Sequence, residues 1–171
     1  MPHQPTARRP IAKPGAGFAR FAAFAMLASV LAMHPANAEE DAAQAVRSVL
    51  GAYHAAIESR DVSRTPALFD PQAVIVEQGR VEGLYQAYLD HHLGPEMAAV
   101  TSFDFDNYQA EVSVEGDVAL ATETYSYHIV LNDGRVIDRQ GAATSTLRRA
   151  GGVWRIAQYH SSSRAPNPAN P

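Results

Sequence analysis

The sequence predicts an α+β fold, a cone-shaped barrel in which three N-terminal helices cover the concave face of a curved antiparallel sheet. Three observations carry this. Helical periodicity is confined to the region before Pro95, four long alternating runs follow it, and the connectors between those runs are short and rich in glycine. At 171 residues the chain suits one domain of ordinary size.

Residues 1–38 stand apart from that domain. Arg8, Arg9, Lys13 and Arg20 flank or precede an apolar run from Phe21 to Met33, and Ala36-Asn37-Ala38 supplies the small-x-small pattern of signal peptidase. As a helix the run would span roughly 20 Å, short of the roughly 30 Å of bilayer hydrocarbon. A signal peptide cleaved after Ala38 is therefore expected, with a periplasmic or secreted product free of the membrane; an uncleaved anchor is the alternative. Residues 39–163 form the expected domain, and the proline-rich tail 164–171 has too little apolar surface to fold.

Composition removes several classes of chemistry. All 18 acids lie beyond the leader, where they face 10 arginines, so the domain is acidic and nucleic acid is a poor partner. Lys13 is the sole lysine, which excludes Schiff-base chemistry and Walker-type phosphate loops from the domain. The chain has no cysteine, hence no thiol nucleophile, thiolate-bound zinc, iron–sulfur cluster or disulfide. No cofactor is expected.

The elements follow in order. Glu39, Glu40 and Asp41 carry the negative charge a helix start favours, and Val46, Val49, Leu50, Tyr53 and Ile57 recur at helical spacing behind them. Thr65-Pro66 reads as an N-cap with proline at the first helical position, predicting a short helix over 67–70 that Pro71 ends. Residues 73–77 read as a strand. Gly79 turns the chain, and Leu84, Tyr85, Tyr88, Leu89 and His92 share a helical face until Gly94-Pro95 stops it. The alternating runs are 100–115, 118–131, 135–149 and 153–161, an antiparallel meander. Phe103 and Phe105 have the opposite parity to Tyr108, Ala110, Val112 and Val114, which calls for a bulge near Asp106 or Asn107.

The segment Leu68-Phe69-Asp70-Pro71 leading to Glu77-Gln78-Gly79, the order of elements, and the closing Trp154-Arg155-Ile156 with His160-Ser161-Ser162 resemble the nuclear transport factor 2 superfamily. More narrowly, they resemble its SnoaL-like bacterial domains, over about residues 42–163. The resemblance implies the cone-shaped barrel, a pocket at its wide end, and pairing of two copies through the open outer face of the sheet. It implies no single activity, because members include isomerases, cyclases, dehydratases, hydrolases and domains without known activity.

Parity on the run 118–131 places Ala119, Ala121, Glu123, Tyr125, Tyr127, Ile129 and Leu131 on one face and His128 on the other. Trp154, Ile156, Gln158 and His160 share a face of the last strand, and its apolar start turns that face, and so His160, into the cone. Glu77 ends a buried-looking strand, where an unpaired carboxylate is costly. His92 lies near the middle of the third helix's apolar stripe, with His91 about 100° away.

Glu77, His92 and His160 are thus expected to meet in one cavity. The reading drawn from this is a pocket for a small, mainly apolar molecule, contacted by His92, Tyr88, Tyr125 and Trp154, with Tyr85 and Tyr127 as further lining. The enzymatic alternative is cofactor-free acid–base chemistry of isomerase, dehydratase or hydrolase type, with His160 or Glu77 as base and a tyrosine as donor. A third reading is a homodimeric assembly module, and the three groups could equally be structural ties. His91, His92, Glu96, Glu77 and His160 are suitable metal-ligand types, but no His-x-x-x-His is present and Glu96 falls beyond Gly94-Pro95, so no metal site is expected. Arg139, Arg148 and Arg149 are expected on a solvated sheet face.

Overall fold

A computed structural model describes residues 35–167. The apolar run of the expected leader and the last four residues of the tail lie outside the described residues. Helix α1 runs Pro35–Glu58, so the acids at 39–41 fall in its second turn and not at its start. Its core stripe is as the periodicity requires, with Val46, Leu50, Tyr53 and Ile57 buried. The helix ends with Arg60 in the left-handed region (φ 57°), and the Arg60 guanidinium donates to the Val100 carbonyl at 3.0 Å, tying this end to the sheet.

The expected second helix is a single 3₁₀ turn, Thr65–Leu68, after which strand β1, Phe69–Glu77, begins at once. Thr65 does not cap it; its hydroxyl donates to the Val62 carbonyl and accepts from Tyr85. Pro71 does not terminate a helix but sits inside β1, in the stretch between Phe69 and Val74 where pairing with the neighbouring strand lapses and its missing N–H leaves no gap. Gln78 and Gly79 both have positive φ (49° and 80°), the turn that joins β1 to strand β2, Arg80–Leu84.

A compound helix follows: α2, Tyr85–Tyr88, a π turn at Leu89–Leu93, and α3, Gly94–Ala98. Gly94-Pro95 does not stop it. The Gly94 N–H bonds the Leu89 carbonyl five residues back, and a Cβ on Gly94 would stand 2.8 Å from that oxygen, so only glycine fits. Pro95 then occupies the start of the next turn, where its lack of an N–H is harmless. Among the described residues there are thus two helical bodies, not three N-terminal helices, and the second comes after a β-hairpin.

The meander is as the alternation predicts: β3, Val100–Glu115; β4, Val118–Leu131; β5, Val136–Ala150; β6, Val153–Arg164. Asn107 (φ 55°) marks the bulge in β3, where the register slips between Asp106 and Gln109. The sheet order is β2-β1-β6-β5-β4-β3, and β1 lies parallel to β6, so the sheet is mixed and not wholly antiparallel. Ala119, Ala121 and Ala143 keep its inner face low, and the helices pack there with Leu147, Trp154 and Ile156.

Candidate functional site

The end of β1 and the compound helix converge on a cavity of about 500 Å³. Its walls are largely apolar, with Ile57, Met97, Val100, Phe103, Ile129 and Ile137 among them. Glu77 enters from the last position of β1, beside the hairpin turn. The Tyr88 hydroxyl donates to Glu77 Oε2 at 3.0 Å, and His92 Nε2 stands 3.2 Å from that same oxygen. The same nitrogen is 3.2 Å from Glu96 Oε1, one helical turn further on. The His92 ring stacks on Tyr88, centroids 5.1 Å apart, which fixes its plane. One imidazole nitrogen therefore stands within ion-pair distance of two carboxylates, and Glu77 accepts the Tyr88 hydroxyl at the cavity wall.

Burial shifts two groups at this wall, Tyr88 and Glu96. It raises the Tyr88 hydroxyl far above an ordinary phenol, and the charge of Glu77 adds to the effect, so Tyr88 stays a neutral donor. Burial likewise raises Glu96 above its usual range, helped by Glu77 and Glu82 and opposed by His92. Tyr125, raised by burial first, lines the same cavity. Among the described residues, no three His, Cys, Asp or Glu side chains are arranged to hold a metal ion.

Of the expected site, Glu77, His92, Tyr88 and Tyr125 come together on this cavity. His160 does not. Gln158 pairs with Thr146 but Ile156 pairs with Leu147, so Ala157 is an extra residue in β6 that reverses the parity of the residues after it. Tyr159 turns inward and is buried, and His160 is exposed on the outer face. Trp154 is inward as expected but belongs to the closed core, beneath the Arg149 guanidinium at 5.2 Å, and does not line the cavity. Arg139, expected on a solvated face, is half-buried and lines the cavity, because its cross-strand partner is the inward Tyr127.

A second acid–imidazole pair lies outside that lining. Glu123 on β4 is fully buried, and its carboxylate accepts from Tyr108 at 2.9 Å, Ser145 at 3.2 Å and His54 Nε2 at 3.1 Å. His54 comes from α1 and is wedged between Phe105 and Tyr108, each 4.3 Å away by centroid. Its Nδ1 has no partner among the described residues, consistent with the Nε2–H tautomer. Glu123 could have been found from the sequence: a carboxylate in the inward parity of Ala119 and Ala121 must have donors waiting for it.

A mixed six-stranded sheet covered by a long and a compound helix, with a polar cluster in an apolar cavity, defines a class of small cavity-bearing α+β domains. Residues 46–166 match the SnoaL-like domain family, and the chain belongs to it. Among solved structures it resembles a nuclear transport factor 2-like superfamily protein from Salmonella enterica serovar Typhimurium (TM-score 0.65, 17% identity, 75% of this chain and 93% of that one). A candidate dehydratase of the same superfamily from Streptomyces avermitilis aligns with TM-score 0.64 at 22% identity, over 74% of this chain and 99% of that one. A candidate ketosteroid isomerase from Shewanella frigidimarina aligns with TM-score 0.61 at 25% identity, over 69% and 94%. No curated protein matches the chain.

Proposed function

We propose that this SnoaL-like domain binds a small, mainly apolar molecule in the 500 Å³ cavity, with a hydroxyl or carbonyl group of the ligand turned to Glu77, His92 and Tyr88. The observation that carries this is the Glu77–His92–Tyr88 cluster on the wall of a cavity whose other surfaces are mostly hydrocarbon and aromatic. Calorimetric titration with 2-naphthol should give saturable binding, and Ile129→Trp, which fills the cavity, should abolish it. Absence of saturable binding to the wild-type protein, both of 2-naphthol and of its carboxylate counterpart 2-naphthoate, contradicts the reading.

The same cluster supports cofactor-free acid–base chemistry as a second reading, with Glu77 as proton acceptor and the neutral Tyr88 as hydrogen-bond donor to a developing oxyanion. His160 has no part in it, since it faces away. With 2-tetralone in heavy water, this reading expects α-proton exchange faster than in buffer and lost in Glu77→Gln. We also propose that the domain works outside the cytoplasm, on the strength of its leader sequence; the mass of the protein from a periplasmic fraction should correspond to a chain starting at Glu39. Pairing of two copies is proposed from the outer face of β4, where Leu120 is 58% exposed beside Val118. Leu120→Arg should abolish a dimer seen by sedimentation equilibrium.

A further inference from the structure

Three sets of charged groups line the cavity, and two of them are internally matched. Glu77 and Glu96 share His92, and Arg80 lies 3.6 Å from Glu82. Arg139 has no ion pair or hydrogen bond among the described residues, although it is half-buried and faces the cavity. A guanidinium never loses its charge at working pH, so its partial burial without an acceptor is a standing cost that an anion would relieve.

A second unspent donor sits beside it. Ser163 Oγ is 2.8 Å from Gln78 Nε2 and 2.8 Å from the Tyr127 hydroxyl. The amide nitrogen Nε2 can only donate, and the amide oxygen Oε1 accepts the Ser163 backbone N–H at 3.2 Å, so Ser163 and Tyr127 share a single bond between their hydroxyls while holding two hydroxyl hydrogens. One of those hydrogens has no acceptor among the described residues. The register places this pair next to Arg139: Tyr127 is its direct cross-strand partner, and Ser163 pairs with Gly141, two residues along the same face of β5. All three residues line the cavity.

We propose that Arg139, with the Ser163–Tyr127 hydroxyl pair, forms an anion subsite in the cavity, so that the ligand is an apolar molecule bearing a carboxylate. The planar guanidinium fork matches a carboxylate's two oxygens, and the spare hydroxyl hydrogen supplies a third donor. This inference rests on the cavity being the binding site. It adds the charge of the ligand and the residue that selects it.

The test compares 2-naphthoate with 2-naphthol, which share a ring system and differ in charge, by calorimetric titration of the wild type, Arg139→Gln and Arg139→Lys. The wild type should bind naphthoate at least about tenfold more tightly, the scale of one charge-assisted hydrogen bond. That preference should fall to near unity in Arg139→Gln, be partly retained in Arg139→Lys, and weaken with added salt in the wild type. Equal affinities in the wild type, or a preference that survives in Arg139→Gln, would overturn the anion subsite while leaving the cavity reading intact. Failure of both ligands to bind would overturn both. Should Arg139→Gln not fold, the wild-type preference together with its reduction in Arg139→Lys decides the matter.

Discussion

Two of the domain's carboxylate–imidazole pairs have nearly equal lengths, 3.1 Å for Glu123–His54 and 3.2 Å for Glu77–His92, in opposite surroundings. Around Glu123, whose side chain is 0% exposed, three donors from α1, β3 and β5 converge on one carboxylate and bind the long helix to the sheet. Around Glu77 the side chains of the acid and the imidazole remain 25% and 36% exposed to a cavity, and the imidazole is shared with a second acid. A sealed pair with its donors in place fixes a structure; an open pair with competing acceptors is available to a ligand. Distance alone does not distinguish a site from a staple, and access does.

The largest expected effect falls on the sealed pair. Glu123→Ala strands the hydroxyls of Tyr108 and Ser145 and the His54 N–H in the interior, and should cost about 3–5 kcal/mol, read as a lower midpoint of urea unfolding. Replacing His54 and Glu123 together by Leu should recover part of that loss, because the uncompensated partner is then gone. Glu77→Gln should change stability by no more than about 1 kcal/mol, since its environment is half-open, yet weaken 2-naphthol binding severalfold.

Smaller effects concern protonation. Glu96 is raised above its ordinary range chiefly by burial, so the native state holds its proton more firmly than the unfolded chain does. The stability this brings is present below the ordinary carboxylate pKa and is lost as pH rises through the raised value. Glu96→Gln should therefore flatten the fall of stability with pH just above the carboxylate range, seen in melting temperatures from pH 4 upward. Six of the seven tyrosines are raised, Tyr85 to about 12 and mainly by burial, so phenolate absorbance should lag behind that of a free phenol. The stabilisation from Tyr85 is intact below pH 10 and lost as pH rises through about 12.

Alternation makes the meander and its β3 bulge legible, because a period of two persists over long strands and a change of parity in Phe103, Phe105 and Tyr108 leaves a trace. The β6 bulge leaves none: Gln158 and His160 are polar and Tyr159 is amphipathic, so either face could be inward, and parity counted from Trp154 puts His160 on the wrong one. Pro71 and Gly94-Pro95 mislead for a related reason. Each is a breaker only if its neighbours need the missing N–H, and an unpaired stretch of β1 and a π turn remove that need. Glu77 and His92 are legible because a carboxylate after three apolar residues and a histidine within an apolar stripe demand partners. His54, one position from the buried Tyr53, carries no such contrast, and Arg139 becomes inward only through its register with Tyr127.

The division between the open and the sealed pair is tested most directly by following the histidine ring resonances in a nitrogen–carbon-labelled sample during titration with 2-naphthol. The resonances of His92 should move saturably with the binding curve while those of His54 hold still. Movement of His54 in step with His92, or saturable binding that leaves His92 unmoved, would contradict the account.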